Sequence, residues 1–246
     1  MRTNTSGSKQ TKLSSFPEDG CAVVIGAAGA IGSALRLRLE DDSRINQTIG
    51  FSRAEEPLVE ITSDSAIAAA AAAVGVLAKP VRLVIDATGF LHGGGVYPEK
   101  SLAEIDSRHM AEALAVNAIG PALLMKHFLP LLAEEGKAVF CTLSARVGSI
   151  TDNRLGGWYS YRASKAALNQ LVRTASIELR RRRPQAVCVA YHPGTVDSPL
   201  SGPFQKTGLD VQTPDAAAEA CLSVLDRLAP ENSGGFFDYT GNSVPW

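Results

Sequence analysis

Short apolar runs alternate along this chain with longer segments in which apolar residues recur every three or four positions. Residues 21–25, 48–51, 58–61, 82–87, 138–143, 186–191 and 235–239 read as strands. The run at 82–87 (RLVIDA) has an uninterrupted apolar centre at 83–85, as in a strand buried on both faces. Between these runs, 31–39 carries Ile31, Leu35 and Leu39 at helical spacing, and Thr62 and Ser63 offer caps for an alanine-rich helix. Residues 110–132 predict a long helix with a kink at Pro121. A second long helix is predicted at 159–183, stopped by Pro184, and a last one at 214–228. Alternation of this kind predicts right-handed strand–helix–strand units and one parallel sheet covered on both faces. The polar stretch 1–19 is expected to be a flexible tail outside the core, leaving 20–246 as a single domain.

Composition narrows the classes. The chain has 246 residues, 45% hydrophobic and 20% charged, which suits one large domain. A formal charge of −1 gives no bulk attraction for nucleic acid or anionic lipid. The longest apolar stretch, 66–78, is alanine-rich and too short to span a bilayer, and residues 1–20 lack the apolar core of a secretory signal. Cys21, Cys141, Cys188 and Cys221 are scattered, three of them in strand-like runs, which predicts a reduced cytoplasmic protein without disulfides or a zinc site. The arginines at 180–183 read as a helix ending favoured by the helix dipole. His92-Gly93-Gly94-Gly95 has no accompanying Gly-x-Ser-x-Gly elbow and is taken as a loop near the site's mouth, and 198–208 as either a substrate lid or a plain surface loop.

Two motifs carry chemistry. Gly26-Ala27-Ala28-Gly29-Ala30-Ile31-Gly32 follows a strand and opens a helix, where small residues let the backbone approach a pyrophosphate at the positive helix end. Far downstream, Tyr161 and Lys165 stand four residues apart, which places a phenol and an ammonium on one helix face. A free tyrosine has a pKa of about 10, and a neighbouring cation stabilises its anion, so Tyr161 is the candidate acid–base. About 20 residues past the last glycine stand Ser52 and Arg53, with no carboxylate between them and the strand. Serine and arginine suit a 2′-phosphate, which favours NADP over NAD, with Glu55 and Glu56 keeping NAD open.

At this point the chain resembles the short-chain dehydrogenase/reductase family, from Cys21 to the C-terminus. The matching pieces are the glycine turn, Asp86-Ala87-Thr88-Gly89 where the family usually shows Asn-Asn-Ala-Gly, Asn117, Leu143-Ser144-Ala145, Tyr161-Arg162-Ala163-Ser164-Lys165 and Pro193-Gly194-Thr195-Val196-Asp197-Ser198. Leu91-His92, Gly157-Trp158-Tyr159-Ser160-Tyr161 and the ending Val244-Pro245-Trp246 are similar to the C-factor-like branch. The resemblance implies a Rossmann-like doubly wound α/β fold. It implies Tyr161 as acid–base, Lys165 holding ribose hydroxyls while lowering the tyrosine's pKa, and Asn117 anchoring a water. It further implies that Ala87, Thr88, Gly89, Pro193, Gly194 and Val196 line the cofactor, with Ser198 near the pyrophosphate and Ile61 near the adenine.

Three departures accompany it. Ala30 stands between displaced glycines, Asp86 replaces an asparagine, and Ala145 occupies the slot of the family's catalytic serine. Ser144 is therefore taken as the serine that orients the substrate oxygen, with Ser149 as the fallback. Because a one-residue shift reverses a side chain on a strand, Ser144 is expected to need a bulge, or the loop's altered length, to face the site. The reading is an NADP(H)-dependent oxidoreductase acting on a small carbonyl or alcohol, expected as a homo-oligomer through its two long helices. The rival is a nucleotide-binding signalling or regulatory protein that turns over poorly. A sugar-nucleotide epimerase is disfavoured for want of extra C-terminal residues.

Overall fold

The computed structural model describes residues 13–54, 58–204 and 210–246; Glu55, Glu56, the first part of the expected tail and 205–208 of the expected lid lie outside them. Six strands form one sheet: β1 (Gly20–Ile25), β2 (Ile45–Phe51), β3 (Val81–Asp86), β4 (Ala138–Leu143), β5 (Ala186–His192) and β8 (Phe236–Asp238). Their order is β2-β1-β3-β4-β5-β8 and every pairing is parallel. A small separate pair joins β6 (Thr195–Val196) to β7 (Val211–Gln212). This is a doubly wound, Rossmann-like α/β domain.

Side chains alternate across the sheet and build two cores. Val23, Val84, Phe140 and Cys188 face one side, against α2 (Asp64–Gly75), α4 (Gly120–Phe128) and α5 (Tyr159–Arg182). Val24, Ile85, Cys141 and Val189 face the other, against α1 (Ala30–Glu40) and α6 (Pro214–Arg227). Burial on both faces is why β1, β3 and β4 are buried along their whole length and mostly apolar rather than alternating.

The expected long helix at 110–132 is divided. α3 (Ser107–Leu114) is capped by Asp106, whose carboxylate accepts from the Arg108 and His109 amides at 2.9 Å. A π-helical turn, Ala115–Ile119, then leads into α4. Pro121 explains the break, since it has no N–H to offer the Asn117 carbonyl four residues earlier. The run Ser107–Leu131 is long and apolar enough by composition to cross a membrane, yet Ala113, Ala118, Leu124, Met125 and Phe128 are buried inside the fold as in a core helix.

Two expectations need correction. Residues 58–61 form no strand: Leu58 makes a single parallel bridge to Ser52, and the chain turns at Glu60, whose carbonyl accepts from the Ser63 amide at 3.0 Å. The described part of the expected tail is not outside the core either. Leu13 and Phe16 are fully buried against α1 and α6. The Leu13 amide bonds Asp42 at 3.1 Å, the Ser14 hydroxyl and the Ser15 amide bracket Asp226 at 2.8 Å each, and Lys137 lies 4.7 Å over the Phe16 ring. Phe16→Ala is expected to cost about 3 kcal/mol and to lower Tm by roughly 6–12 °C, measured by thermal denaturation.

Candidate active site

The glycine turn sits between the tips of β1, β2 and β3. The Gly26 and Ala27 amides donate to the Phe51 carbonyl at 2.8 and 3.0 Å, and the Ala87 amide donates to Ile25 at 2.8 Å. Gly26 has φ +82°, which a side chain would strain, and a Cβ on Gly32 would collide with the Gly26 carbonyl. Helix α1 starts at Ala30 with no side-chain cap and no acidic residue in its first turn. Its N-terminal amides are thus directed at the cleft without a competing anion, so the residues present fit a dinucleotide phosphate.

Ser52 follows β2 at this same tip, with its hydroxyl accepting from the Ala54 amide at 3.1 Å. Arg53 is 79% exposed and only loosely paired with Glu60, 3.9 Å away, so its guanidinium can reach an incoming phosphate. Ile61 is buried and packs against Gly120 of α4.

On the other side of the cleft, α5 presents Tyr161, Lys165 and Asn169 on one face, each one turn beyond the last. Tyr161 is 8% exposed and Lys165 is 3% exposed. The Lys165 ammonium lies 5.9 Å from the centroid of the Tyr161 ring and donates to the Leu143 carbonyl at 2.8 Å. It also lies beside Gly89, 4.0 Å from where a Cβ there would sit. Burial pushes the Tyr161 phenol up, and it pulls Lys165 down to about 8, an effect that the negative charge of Asp86 opposes. Asp86 is itself buried, and burial raises its pKa against three hydrogen bonds. Those bonds come from the Thr88 amide at 3.0 Å, the Thr88 hydroxyl at 2.6 Å and the Thr142 hydroxyl at 2.7 Å. A carboxylate is thus fully satisfied where the family usually has an amide.

Asn117 lies inside the π-helical turn and is fully buried. Its amide clamps the loop after β3 by accepting from the Phe90 N–H at 2.8 Å and donating to the Phe90 carbonyl at 2.7 Å, and it also donates to Ser164 at 3.1 Å. Ser144 faces α5 without a bulge, in step with Phe140 and Thr142; its hydroxyl donates to Asn169 at 2.7 Å. Ser149 is buried too, and its hydroxyl accepts from the Asp152 amide at 3.1 Å. Neither serine has a described bond to Tyr161.

Gly194, at φ +80°, packs its backbone against Gln212 and Tyr239, and Gln212 donates to the Pro193 carbonyl at 3.1 Å. Val196 is buried in β6. Ser198 bonds within its own loop, to the Ser201 amide at 3.4 Å, rather than to the glycine turn.

Two contributors are not apparent from the sequence pattern. Glu99 is buried, and its carboxylate accepts from the Ser160 amide at 3.1 Å and from the Ser160 hydroxyl, capping the first turn of α5 from a distant loop. Desolvation opposes its charge, but the Ser160 bonds prevail and hold the carboxyl below the usual range. Its backbone carbonyl also takes the Trp158 N–H at 2.5 Å. Asn169 is the other, joining Ser144 to the Gly148 carbonyl at 3.4 Å.

Residues 21–222 match the family described as enoyl-(acyl carrier protein) reductase. The chain is 40% identical over 147 residues to the C-signal of Myxococcus xanthus, covering 59% of this chain and 84% of that one. It is 33% identical over 191 residues to a 1-hydroxy-2-glutathionyl-2-methyl-3-butene dehydrogenase of Rhodococcus sp. (strain AD45), covering 78% and 80% respectively. Its fold superposes on an NADPH-bound carbonyl reductase from chicken fatty liver with a TM-score of 0.81 at 27% identity, covering 94% of this chain and all of the other. With phosphate turn, buried tyrosine–lysine pair and sheet order in place, the chain belongs to the short-chain dehydrogenase/reductase family, in its C-factor-like branch.

Proposed function

We propose that this protein reduces a carbonyl compound, or oxidises the corresponding alcohol, with NADP(H), and that Tyr161 moves the proton. The observation that carries the reading is the buried Lys165 ammonium 5.9 Å from the Tyr161 ring, at the carboxyl ends of the strands. When bound, the nicotinamide cofactor would supply or accept the hydride. The glycine turn at Gly26, Gly29, Ala30, Ile31 and Gly32 would hold its pyrophosphate. Ser52 and Arg53 would hold the 2′-phosphate, and NAD would lose that contact. The chicken carbonyl reductase, with its bound NADPH, supports this choice of cofactor. Ile61, Ala87, Thr88, Gly89, Pro193, Gly194, Val196 and Ser198 would complete the cofactor site.

Lys165 has two tasks in this reading. Its charge offsets the burial that raises the phenol's pKa, and its N–H groups would hold ribose hydroxyls in exchange for the Leu143 carbonyl. Tyr161 would give its proton to the substrate's carbonyl oxygen during reduction and take one from the alcohol in the reverse direction. Ser144 would orient that oxygen by turning its hydroxyl from Asn169, with Ser149 as the alternative. The Asn117 side chain is already committed, so a proton-relay water would sit on its main-chain carbonyl, which Pro121 leaves without an i+4 donor.

A cytoplasmic location fits the four buried free cysteines. A homo-oligomer remains our expectation, through the groove of about 460 Å³ between α4 and α5 that Met125, Leu129, Leu171 and Leu179 line. The 40% identity to the C-signal favours one second reading, a cofactor-binding regulatory protein with little turnover.

NADPH oxidation over a panel of aldehydes and ketones decides between the two. Tyr161→Phe is expected to lower kcat by roughly 10²–10⁴-fold with NADPH affinity unchanged; tight NADPH binding with no turnover by the wild type would select the regulatory reading. The pH profile gives a second check. Lys165 is charged below its pKa, so reduction should fall as pH rises through about 8. Asp86→Asn removes the charge that opposes burial and should move this limb to lower pH; a limb that stays put refutes the role given to Lys165. Glu99→Ala leaves the Ser160 N–H unanswered and is expected to cost about 1–2 kcal/mol of stability and to lower kcat without changing NADPH affinity. Glu99→Gln keeps an acceptor and should recover most of both, as read by urea unfolding beside steady-state kinetics.

A further inference from the structure

Aromatic side chains from three separate strand-end loops converge beside Tyr161. Trp158 stands edge-on to the Tyr161 ring, centroids 6.1 Å apart at 73°. Phe204, from the loop after β6, stands edge-on to Trp158 at 5.1 Å and to His92 at 5.3 Å, both at 66°. It also meets Tyr97 edge-on at 6.4 Å, and His92 stacks on Tyr97 at 5.9 Å and 9°. The Phe204 ring therefore fills a niche whose walls are an indole, an imidazole and a phenol, all in the orientations that aromatic quadrupoles favour.

The backbone is arranged to present this niche. Gly156, Gly157 and Trp158 are consecutive left-handed residues, at φ +65°, +64° and +55°. Glycine adopts that region readily, whereas a tryptophan there is rare and strained. Trp158 is held in it by its N–H on the Glu99 carbonyl at 2.5 Å, and α5 begins at the next residue. The strain sets the indole against the phenol that moves the proton. On the opposite wall, His92 Nε2 lies 3.2 Å from the Pro199 carbonyl and 3.1 Å from that of Leu200, which ties the loop carrying Phe204 to the loop carrying His92. Tyr97 is 62% exposed and marks the side open to solvent. Trp158 contacts both Phe204 and Tyr161, so the niche and the phenol share one wall.

We propose that this niche is the substrate's ring site, and that it takes the aryl group of a planar aromatic aldehyde or ketone in the place that Phe204 occupies. The proposal rests on the carbonyl-reductase reading and specifies the substrate class for it.

The test compares benzaldehyde with cyclohexanecarboxaldehyde, equal in carbon number and in the link to the carbonyl but different in ring electronics. The wild type should prefer benzaldehyde in kcat/KM by roughly tenfold or more, the ratio that two edge-on ring contacts supply. Trp158→Leu should abolish the preference and Trp158→Phe should keep it. Equal turnover of the two aldehydes, or a preference that survives Trp158→Leu, overturns the proposal. If neither aldehyde is reduced, the carbonyl reading itself fails, and calorimetric binding of benzyl alcohol against cyclohexylmethanol still judges the niche. Benzyl alcohol binding that is lost in Trp158→Leu supports it; equal or undetectable binding of the two alcohols sinks it.

Discussion

The site depends on keeping one ammonium charged inside a protein. Lys165 is almost fully enclosed, and burial alone drives an amine toward its neutral form. Two features resist that drift: the Leu143 carbonyl at 2.8 Å and the carboxylate of Asp86 on the neighbouring strand. Burial pushes Asp86 itself toward its neutral form, and the Thr88 and Thr142 hydrogen bonds oppose that drift without reversing it. The charge that supports Tyr161 in the proposed reaction is therefore sustained by residues of β3, β4 and the loop after β3, not by α5 alone. Asparagine, the residue the family usually has in place of Asp86, would satisfy the threonines but carry no charge, so this chain has a further means of holding Lys165 protonated.

Parallel pairing explains why these pieces meet. All six strands of the main sheet run the same way, so every carboxyl end and every loop that follows it lies on one edge. The glycine turn after β1, Ser52 after β2, Ala87 to Gly89 after β3, Ser144 after β4 and Pro193 after β5 are brought together by topology, from positions far apart in the chain. The two cores hold the sheet rigid beneath them. Leu13 and Phe16 belong to this support, closing the α1–α6 side where an N-terminal tail was expected.

What was legible in the sequence is what local rules control. Gly26 and Gly32 are readable because the turn tolerates no other residue there, and Tyr161 and Lys165 because helical spacing alone makes them neighbours. The strands at 82–87 and 138–143 are readable because burial on both faces leaves mostly apolar, non-alternating runs. What escaped depends on partners far away in the chain. Glu99 meets Ser160 across 61 residues and shares no periodic pattern with it. Leu13 and Phe16 are two apolar residues in a polar stretch, too few to show a period. The run at 58–61 has strand-like composition, but Glu60 turns the chain after a single bridge, and composition does not register a turn made by a carbonyl.

Ser144 shows how a local rule can mislead when its starting point is one residue off. Counting from Gly148 puts Ala145 in the serine slot and predicts that Ser144 faces away. The strand keeps regular alternation instead, and Phe140, Thr142 and Ser144 all face α5, so no bulge is required. Ala145 is the residue turned out of step, in extended backbone just before the short helical turn Arg146–Gly148. That turn is packed tightly on α5: a Cβ on Gly148 would meet Lys165 at 2.8 Å. The loop's path is therefore set by its contact with α5, and a count made backward from Gly148 measures that contact rather than the phase of β4.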